Sequence, residues 1–145
     1  DRLRSSSVAH LTSLPGPIWA LNRIYGEFRD QIDFFTIYIK EIHPTDGWQV
    51  KENEADAVLF REHQSMEERV EVGQACMIKL ALEPPALVDE MDDAVASAYA
   101  GMPERLYLVG ADGRVAYKGG IGPMFFRPLE WEQAIRDYLA SAGGA

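Results

Sequence analysis

The sequence predicts a single α/β domain whose mixed β-sheet carries helices on both faces and ends in a β-hairpin followed by a helix. Strand-like runs alternate with helical patterns along the chain, which is typical of sheets with connecting helices. The last two strand-like runs are separated by Gly110-Ala-Asp-Gly113, a strong hairpin signal. No linker or repeat divides the 145 residues, so we expect one domain over residues 1–145.

Composition and charge argue against several classes of protein. The chain is 47% hydrophobic and 26% charged, an ordinary globular composition. Its net charge of -9 argues against nucleic acid and anionic membranes as partners. The apolar runs are far shorter than the roughly 20 residues of a membrane span. A single Cys excludes an internal disulfide and favours the cytoplasm, while a start at Asp1 is compatible with a trimmed leader.

The first third of the chain contains one weak strand signal, one helix and one strong strand. Residues 1–7 are polar and are expected to fray, with at best a short strand over 8–11. Pro17 suits the first position of a helix, and apolar residues at 3.6-residue spacing extend that helix to about residue 30. Its apolar face consists of Ile18, Leu21, Ile24, Tyr25 and Phe28. Residues 32–39 are β-branched, aromatic and almost continuously apolar, which predicts a central parallel strand.

A long connection and a capped helix follow this strand. Residues 41–64 lack a clear period and far exceed the usual length of a βα connection, as functional loops often do. Ser65 and Glu68 match a capping box, which predicts a helix from there to about Leu82. The residues expected on its inward face are Val70, Gly73, Met77 and Leu80.

The last part of the chain contains four short elements and a longer helix. Residues 86–88 predict a short buried strand, and residues 92–100 a short helix that stops at Gly101. The expected inward residues of that helix are Val95, Ala98 and Tyr99. Residues 105–109 and 114–118 predict the hairpin. Residues 128–140 predict the last helix, with an apolar face of Trp131, Ile135, Tyr138 and Leu139, and 141–145 are expected to fray.

The residues best suited to ligand binding or catalysis lie where the strand over 32–39 ends. The stretch Tyr38-Ile-Lys-Glu-Ile-His-Pro-Thr-Asp-Gly-Trp48 places Glu41, His43 and Asp46 at the edge where open α/β sheets usually bind ligands. Together with His63 they suggest a metal site as an alternative, but the HExxH type of spacing is missing, and we expect no metal or other cofactor. His43 also suits a bond to loop backbone, and His63 a role in capping the next helix.

The same stretch resembles the iodothyronine deiodinase family, including its bacterial members, which has a thioredoxin fold. A helix after the first strand and Pro103 just before the hairpin are features of that fold. The similarity covers about residues 17–139. The other stretches that carry it are His63-Gln-Ser-Met-Glu-Glu-Arg69, Leu87-Val-Asp-Glu-Met-Asp92, Glu104-Arg-Leu-Tyr107 and Tyr117-Lys-Gly-Gly-Ile-Gly-Pro123.

The resemblance implies a site that removes iodine reductively from a phenolic ring. A cysteine or selenocysteine at the start of the first helix would act as the nucleophile, because a helix N-terminus stabilises a thiolate or selenolate. By the same resemblance, Glu41, His43 and His63 bind substrate and handle protons, and Pro103 is cis and borders the pocket. The family often forms homodimers, to which an apolar patch at Phe125-Phe126 is expected to contribute.

The sequence departs from the family pattern at the reacting group. The expected motif before the first helix reads His10-Leu-Thr-Ser-Leu-Pro-Gly-Pro17 and contains no Cys. Leu11 takes the chalcogen position without gaps, and Ser13 takes it with a two-residue deletion; neither is oxidised and recycled as a thiol is. The family's second Cys would align near Pro84, and Ile121 stands where some members carry Arg.

Two function classes follow from this departure. The first is a non-redox, vestigial domain that binds a small phenolic or aromatic ligand, or a partner protein, through Glu41, His43, His63 and Pro103. The second is a thiol- or selenol-dependent oxidoreductase, such as a reductive dehalogenase or a thiol peroxidase, whose chalcogen at residues 11–13 has been replaced in this sequence. Cys76, in mid-helix, is expected to be buried and inert.

Overall fold

The computed structural model describes residues 3–9, 18–40 and 64–143, which contain five strands and four helices. The strands are β1 (Leu3–Ala9), β2 (Ile32–Tyr38), β3 (Ala86–Val88), β4 (Glu104–Val109) and β5 (Val115–Lys118). The helices are α1 (Ile18–Phe28), α2 (Met66–Leu80), α3 (Ala94–Ala98) and α4 (Pro128–Gly143). The order of elements agrees with the one predicted from the sequence.

The five strands form one mixed sheet in the order β3-β2-β1-β4-β5. Strands β1, β2 and β3 are parallel, and β4 is antiparallel to both β1 and β5. The predicted hairpin is therefore confirmed as β4-β5. Its turn contains Gly113 at φ 80, a left-handed conformation that glycine adopts without steric cost. The predicted parallel strand is confirmed as β2, which lies between β1 and β3.

Strand β1 corrects the expectation that residues 1–7 fray. Residues 3–9 form the middle strand of the sheet and pair along their whole length with β2, from Leu3↔Ile32 to Ala9↔Tyr38. On the other side β1 pairs with β4. The run Arg-Ser-Ser-Ser has no apolar alternation to reveal this strand, and the backbone hydrogen bonds on both sides override its weak intrinsic preference.

Helices cover both faces of the sheet, as predicted. Helices α1, α2 and α4 pack on one face around a main core that includes Ile24, Phe34 and Ile135. Phe34 meets Trp131 of α4 edge to face, with the ring centroids 5.6 Å apart. Each fully buried side chain of this kind contributes roughly 1.5–3 kcal/mol relative to exposure. On the other face, α3 packs on Ile39 through Ala96, Val95 and Tyr99.

Helices α1 and α4 are also joined by ion pairs on their outer side. Arg23 of α1 binds Glu132 of α4 with Nη2–Oε2 at 2.6 Å, and Arg136 binds Glu27 of α1 at 2.6 Å. Hydrogen bonds from Arg23 lower the pKa of Glu132 to about 2, with further help from Arg136. Because both arginines are half-exposed, solvent screening limits the contribution of these pairs to stability.

Helix α2 begins with the predicted cap. Ser65 Oγ accepts a hydrogen bond from the backbone N–H of Glu68 at 3.2 Å. The Glu68 carboxylate accepts from the N–H of Gln64 at 2.7 Å, one residue before the usual partner of a capping box. The residue after the helix, Ala81, has φ 51, so an alanine occupies a left-handed position that favours glycine.

The inward face of α2 differs in part from the prediction. Of the four residues expected there, only Gly73 is fully buried, while the other three are half-buried. Arg69 and Cys76 are the remaining buried residues, and with Gly73 they lie at the i, i+4, i+7 spacing of one helical stripe. Arg69 is buried because its guanidinium donates to backbone carbonyl groups, which composition alone does not reveal.

Three smaller expectations are corrected near β3 and α3. Strand β3 is an edge strand rather than a buried one, and Leu87 is 50% exposed. Helix α3 is shorter than predicted, so that Ala96 rather than Ala98 is its buried residue. The helix ends with Ala100 in the left-handed conformation at φ 47, and Gly101 donates its N–H to the Ala96 carbonyl at 2.9 Å. The left-handed residue that ends the helix is therefore Ala100, one residue before the predicted stop at Gly101.

The last helix is longer than expected. Helix α4 runs to Gly143, so residues 141–143 continue the helix instead of fraying, and residues 144–145 lie outside the described part. Its predicted apolar face is confirmed: Trp131 and Ile135 are buried, and Tyr138 and Leu139 pack against the main core.

Candidate functional site

One edge of the sheet brings together the ends of three strands. The register aligns Tyr38 at the end of β2, Ala9 at the end of β1 and Glu104 at the start of β4 in one row. The chain leaves β2 through Lys40 toward Glu41, and it enters β4 through Met102 and Pro103. This is the carboxyl edge of the parallel strands, where ligands bind in α/β sheets of this kind.

Four of the five predicted site residues lie outside the described residues. These four are Ser13, Glu41, His43 and His63. Leu11, the other candidate for the chalcogen position, also lies outside the described residues. The fifth, Pro103, is half-buried at this edge, and the Met102–Pro103 peptide bond is cis, as the resemblance implied. The structure therefore places one predicted site residue and the chain segments that flank two others, Glu41 and His63.

Glu104, directly after Pro103, is a buried carboxyl group that sequence reasoning did not single out. Its side chain is 0% exposed, and neither carboxylate oxygen has a hydrogen-bond partner among the residues that the structure describes. Burial disfavours the charged form and raises the pKa of Glu104 to about 7. A carboxyl group in this state gains or loses its proton near neutral pH, as general acids and bases do.

The glycine-containing loop after β5 closes over Glu104. The N–H of Gly122 donates to the backbone carbonyl of Glu104 at 3.0 Å. A Cβ atom at position 122 would overlap the carboxylate and Cγ of Glu104, so a larger residue there would force the Glu104 side chain to shift. The loop and the carboxyl group are thus packed against each other at the same edge as Pro103.

A pocket of about 340 Å³ lies at this edge on the α3 side of the sheet. Its wall next to α3 is made by small residues, which leave the space open. Its residues include Lys40, Asp93, Ser97, Ala100, Met102 and Ile121. The volume is at the lower end of the range of ligand sites in proteins, about 300–1,000 Å³.

A buried arginine and a buried aspartate hold α3 against this pocket. Asp89 accepts from the N–H groups of Val95 and Ala96 at 2.9 and 2.8 Å, which caps the helix. Arg69 Nη1 donates to the carbonyl of Glu90 at 2.6 Å and to Oδ1 of Asp93 at 3.0 Å. These bonds fix Asp93 in the pocket wall.

Arg105 ties two further parts of the wall together. Its Nε donates to the Gly119 carbonyl at 2.7 Å, and its Nη1 donates to the Ala100 carbonyl at 3.2 Å. Because Ala100 and the loop after Gly119 both contribute residues to the pocket, these two bonds join two parts of its lining.

Cys76 lies in the main core. Its side chain is 0% exposed and packs in the cluster that includes Leu82 and Tyr38. The expectation of a buried cysteine in mid-helix is confirmed. A thiol without solvent access is a poor nucleophile for an external substrate.

Metal-binding groups and membrane-spanning helices are both missing from the described part of the chain. No group of three or more His, Cys, Asp and Glu side chains in residues 18–40 and 64–142 is placed to hold a metal ion. Within the described ranges, no helix has the length and apolar character needed to cross a bilayer. The alternative metal site at Glu41, His43, Asp46 and His63 lies outside these ranges.

The burial of Glu104 follows from the alternation of side chains along β4. Along β4, Glu104, Leu106 and Leu108 point to the same face because side chains alternate along a strand. Both leucines are buried in the main core, so a carboxyl group in register with them is buried too. The contact between Lys40 and Asp93 joins residues 53 positions apart, and no local signal predicts it.

Comparisons with known proteins place the chain in one family. The sequence profile of the iodothyronine deiodinase family matches residues 12–139. The chain is 33% identical over 109 residues to the type I iodothyronine deiodinase of Xenopus laevis, covering 75% of this chain and 41% of that protein. It is 35% identical over 127 residues to the thyroxine 5-deiodinase of Gallus gallus, covering 86% and 47%. The chain thus spans less than half the length of these relatives.

Solved structures agree on the fold. A conserved protein of Geobacillus kaustophilus superposes with a TM-score of 0.66 at 16% identity, covering 97% of this chain and 69% of that one. A thioredoxin-like protein of Aeropyrum pernix gives 0.56 at 13% identity, covering 92% and 76%. The architecture is therefore thioredoxin-like. With a family profile that matches most of its length, the chain belongs to the iodothyronine deiodinase family.

Proposed function

We propose that this chain is a deiodinase-family domain that binds a small phenolic or aromatic ligand without reducing it. The observation that supports the proposal is the burial of the one cysteine thiol. The chain has one Cys, Cys76, and its side chain is 0% exposed. Reductive removal of iodine needs an accessible thiolate or selenolate, and residues 10–17 before α1 contain neither.

In this proposal the ligand-binding residues are Glu41, His43, His63 and Pro103. By the resemblance given above, the first three correspond to the strand-end motif and the later histidine of the family. Glu41 follows Lys40 directly, and the position of Pro103 at the same sheet edge supports the grouping. Imidazole groups suit a phenolic ligand because they donate or accept a hydrogen bond near neutral pH. If the alignment includes a two-residue deletion, Ser13 takes the chalcogen position and adds only a hydroxyl group; without gaps, Leu11 takes it and adds no polar group.

The proposal extends to partners and location. A homodimer and a cytoplasmic location stay predictions. Of the two phenylalanines expected in an exposed patch, Phe125 is 50% exposed and Phe126 packs against the main core, so the patch is smaller than expected.

The second candidate is a thiol- or selenol-dependent oxidoreductase whose chalcogen has been replaced at residues 11–13. Glu104 favours it, because a buried carboxyl group with a pKa of about 7 beside Pro103 is suited to proton transfer. The reaction balances as one aryl iodide and two thiols giving an arene, iodide, a proton and a disulfide. A TGA or Cys codon at positions 11 to 13 of the gene would favour this candidate.

The test combines ligand binding with a gain-of-function series. Thyroxine is titrated calorimetrically into the chain, into His43→Ala and into the surface control Gln133→Ala. Iodide release with dithiothreitol is then measured for the chain and for Ser13→Cys and Leu11→Cys, which cover both alignments. We expect binding by the chain and by the control, weaker binding by His43→Ala, and iodide release only after a Cys is introduced.

Two results would overturn the proposal. Iodide release by the unchanged chain would show turnover without an introduced chalcogen. Failure of the unchanged chain to bind thyroxine or any smaller phenol would show that the binding shell is not functional.

A further inference from the structure

A second pocket, of about 490 Å³, lies between helix α2 and strand β3 at one side of the sheet. Among the described residues, it shares no lining residue with the pocket next to α3. Ile78 is 81% exposed beside it and Ala86 is exposed as well, so the pocket is an open groove, here called the α2–β3 groove. Its lining is mostly apolar and includes Val70, Gly73, Met77, Ile78, Ala86 and Val88.

The backbone of β3 directs hydrogen-bonding groups away from the sheet along this groove. The Pro85 carbonyl and the Asp89 N–H both bond to β2, at 2.8 and 2.9 Å. Because backbone groups alternate in direction along a strand, Leu87 also faces β2, while the N–H and C=O groups of Ala86 and Val88 point outward. In the described sheet β3 is the last strand on that side, so an extended segment can pair with these outward groups.

Apolar side chains flank this edge on both faces of the sheet. Ile78 lies on the α2 side, and Leu87, which is 50% exposed, points to the opposite face because side chains alternate along β3. Edge strands are commonly protected by a charged side chain, an internal proline or a bulge, and Ala86-Leu-Val88 has none of these. The strand is short, which limits an added strand to four backbone hydrogen bonds and therefore to modest affinity.

The rim of the α2–β3 groove is acidic. Glu67 and Glu71 are exposed and share a helical stripe with the lining residues of α2, at i, i+4, i+7 and i+11. Glu83 precedes β3 and Glu90 follows it, and both are exposed. Lys79 lies on the opposite side of the helix by the same spacing, so it does not offset these carboxylates. A basic partner complements a rim of this charge.

We propose that the open edge of β3 binds an extended segment of a partner protein as a sixth strand of the sheet. The segment has apolar side chains on the face that enters the α2–β3 groove, and lysine or arginine at its other positions. This interaction surface does not depend on the proposed function, because it uses neither the ligand-binding residues proposed above nor the pocket next to α3.

The probe is a synthetic hexapeptide of alternating valine and lysine with blocked ends, titrated while the amide signals of the chain are followed by NMR. One control peptide carries glutamate in place of lysine. A second control is methylated on every backbone nitrogen, which keeps the side chains and removes the N–H donors. We expect shifts at Met77, Ile78, Ala86 and Val88, and binding of both controls about tenfold weaker or less.

Two variants test the edge and the rim separately. Ala86→Pro removes one outward N–H and leaves the bonds to β2 in place, so it should weaken binding about three- to tenfold, as the loss of one hydrogen bond does. Glu71→Lys should weaken binding about two- to fivefold. Asp30→Lys, in the turn between α1 and β2, makes the same charge change elsewhere and should leave binding unchanged. An unchanged melting temperature shows that each variant is folded.

Hydrogen exchange on the unchanged chain gives a second measurement that needs no variant. Saturating peptide should slow the exchange of the Ala86 and Val88 amides, which point outward, and should change the Leu87 amide little because it already faces β2.

Several results would overturn the proposal. These are no binding of the basic peptide at millimolar concentration, equal binding of either control peptide, and unchanged exchange of the Ala86 and Val88 amides. If the same signals shift with the concentration of the chain alone, a second copy occupies the edge, and the proposed partner is wrong.

Discussion

Glu104 makes the stability of this fold depend on pH in a way that can be calculated. In the unfolded chain the group titrates near its ordinary pKa of 4.5, and burial raises the pKa to about 7 in the folded chain. The folded state therefore holds the proton more strongly. The protonated Glu104 side chain contributes its full stabilisation below about pH 4.5, and this contribution is lost as the pH rises to about 7. Each pKa unit corresponds to about 1.4 kcal/mol, so about 2–3 kcal/mol should be lost between about pH 5 and about pH 8.

Substitution with glutamine isolates this effect. Glu104→Gln resembles the protonated carboxyl group at every pH, so its stability should be close to that of the unchanged chain at about pH 5. At about pH 8 the variant should be more stable by about 2–3 kcal/mol. Urea unfolding at both pH values measures the difference, and Glu71→Gln on the exposed side of α2 serves as the control. A stability difference between Glu104→Gln and the unchanged chain that does not vary with pH would show that Glu104 does not titrate between these two pH values in the folded chain.

Four further predictions concern other parts of the molecule. Ala81→Gly should raise the free energy of unfolding by about 0.5–1 kcal/mol because Ala81 has φ 51, a left-handed conformation that favours glycine. Ala75→Gly within α2 should lower it by about 1 kcal/mol. Urea unfolding measures both, and the opposite order of the two variants would be contrary evidence. Glu132→Gln should lower the free energy of unfolding by about 1 kcal/mol at neutral pH. This loss should shrink in high salt, and also as the pH falls toward the carboxyl pKa of about 2. A loss that does not depend on salt would contradict the prediction. Cys76 should react with a thiol reagent only as fast as the protein unfolds, so rapid labelling of the folded chain would disprove its burial. His43→Ala should lose ligand binding with little change in melting temperature, and a large drop in melting temperature would favour a structural role instead.

The elements that the sequence revealed are those whose own side chains show the pattern of burial. Helix α1 places its buried residues at regular helical spacing, and β2 is almost continuously apolar because both of its faces are covered. The hairpin was readable from its glycine turn. Strand β1 was not, because Ser5, Ser6 and Ser7 owe their place in the sheet to pairing on both sides. Strand β3 was readable as a strand, but its apolar residues suggested burial, whereas it lies at an edge of the sheet.

The candidate site was readable only where a motif is local. The strand-end stretch was found from its position after a buried strand and Pro103 from the resemblance to thioredoxin folds; Lys40 and Pro103 lie at the predicted edge. Glu104 and the pair formed by Lys40 and Asp93 depend on which strands become neighbours and on the loop that closes over them. Long-range register of this kind is not encoded in any single window of the sequence.

We propose that the family fold is retained here as a binding domain without redox turnover. Iodide release from thyroxine by the unchanged chain in the presence of dithiothreitol tests this directly, with Cys76→Ala measured alongside it. We expect thyroxine to bind and both proteins to release no iodide above the rate of dithiothreitol alone. Iodide release by the unchanged chain above that rate would show redox turnover, whether or not Cys76→Ala retained it.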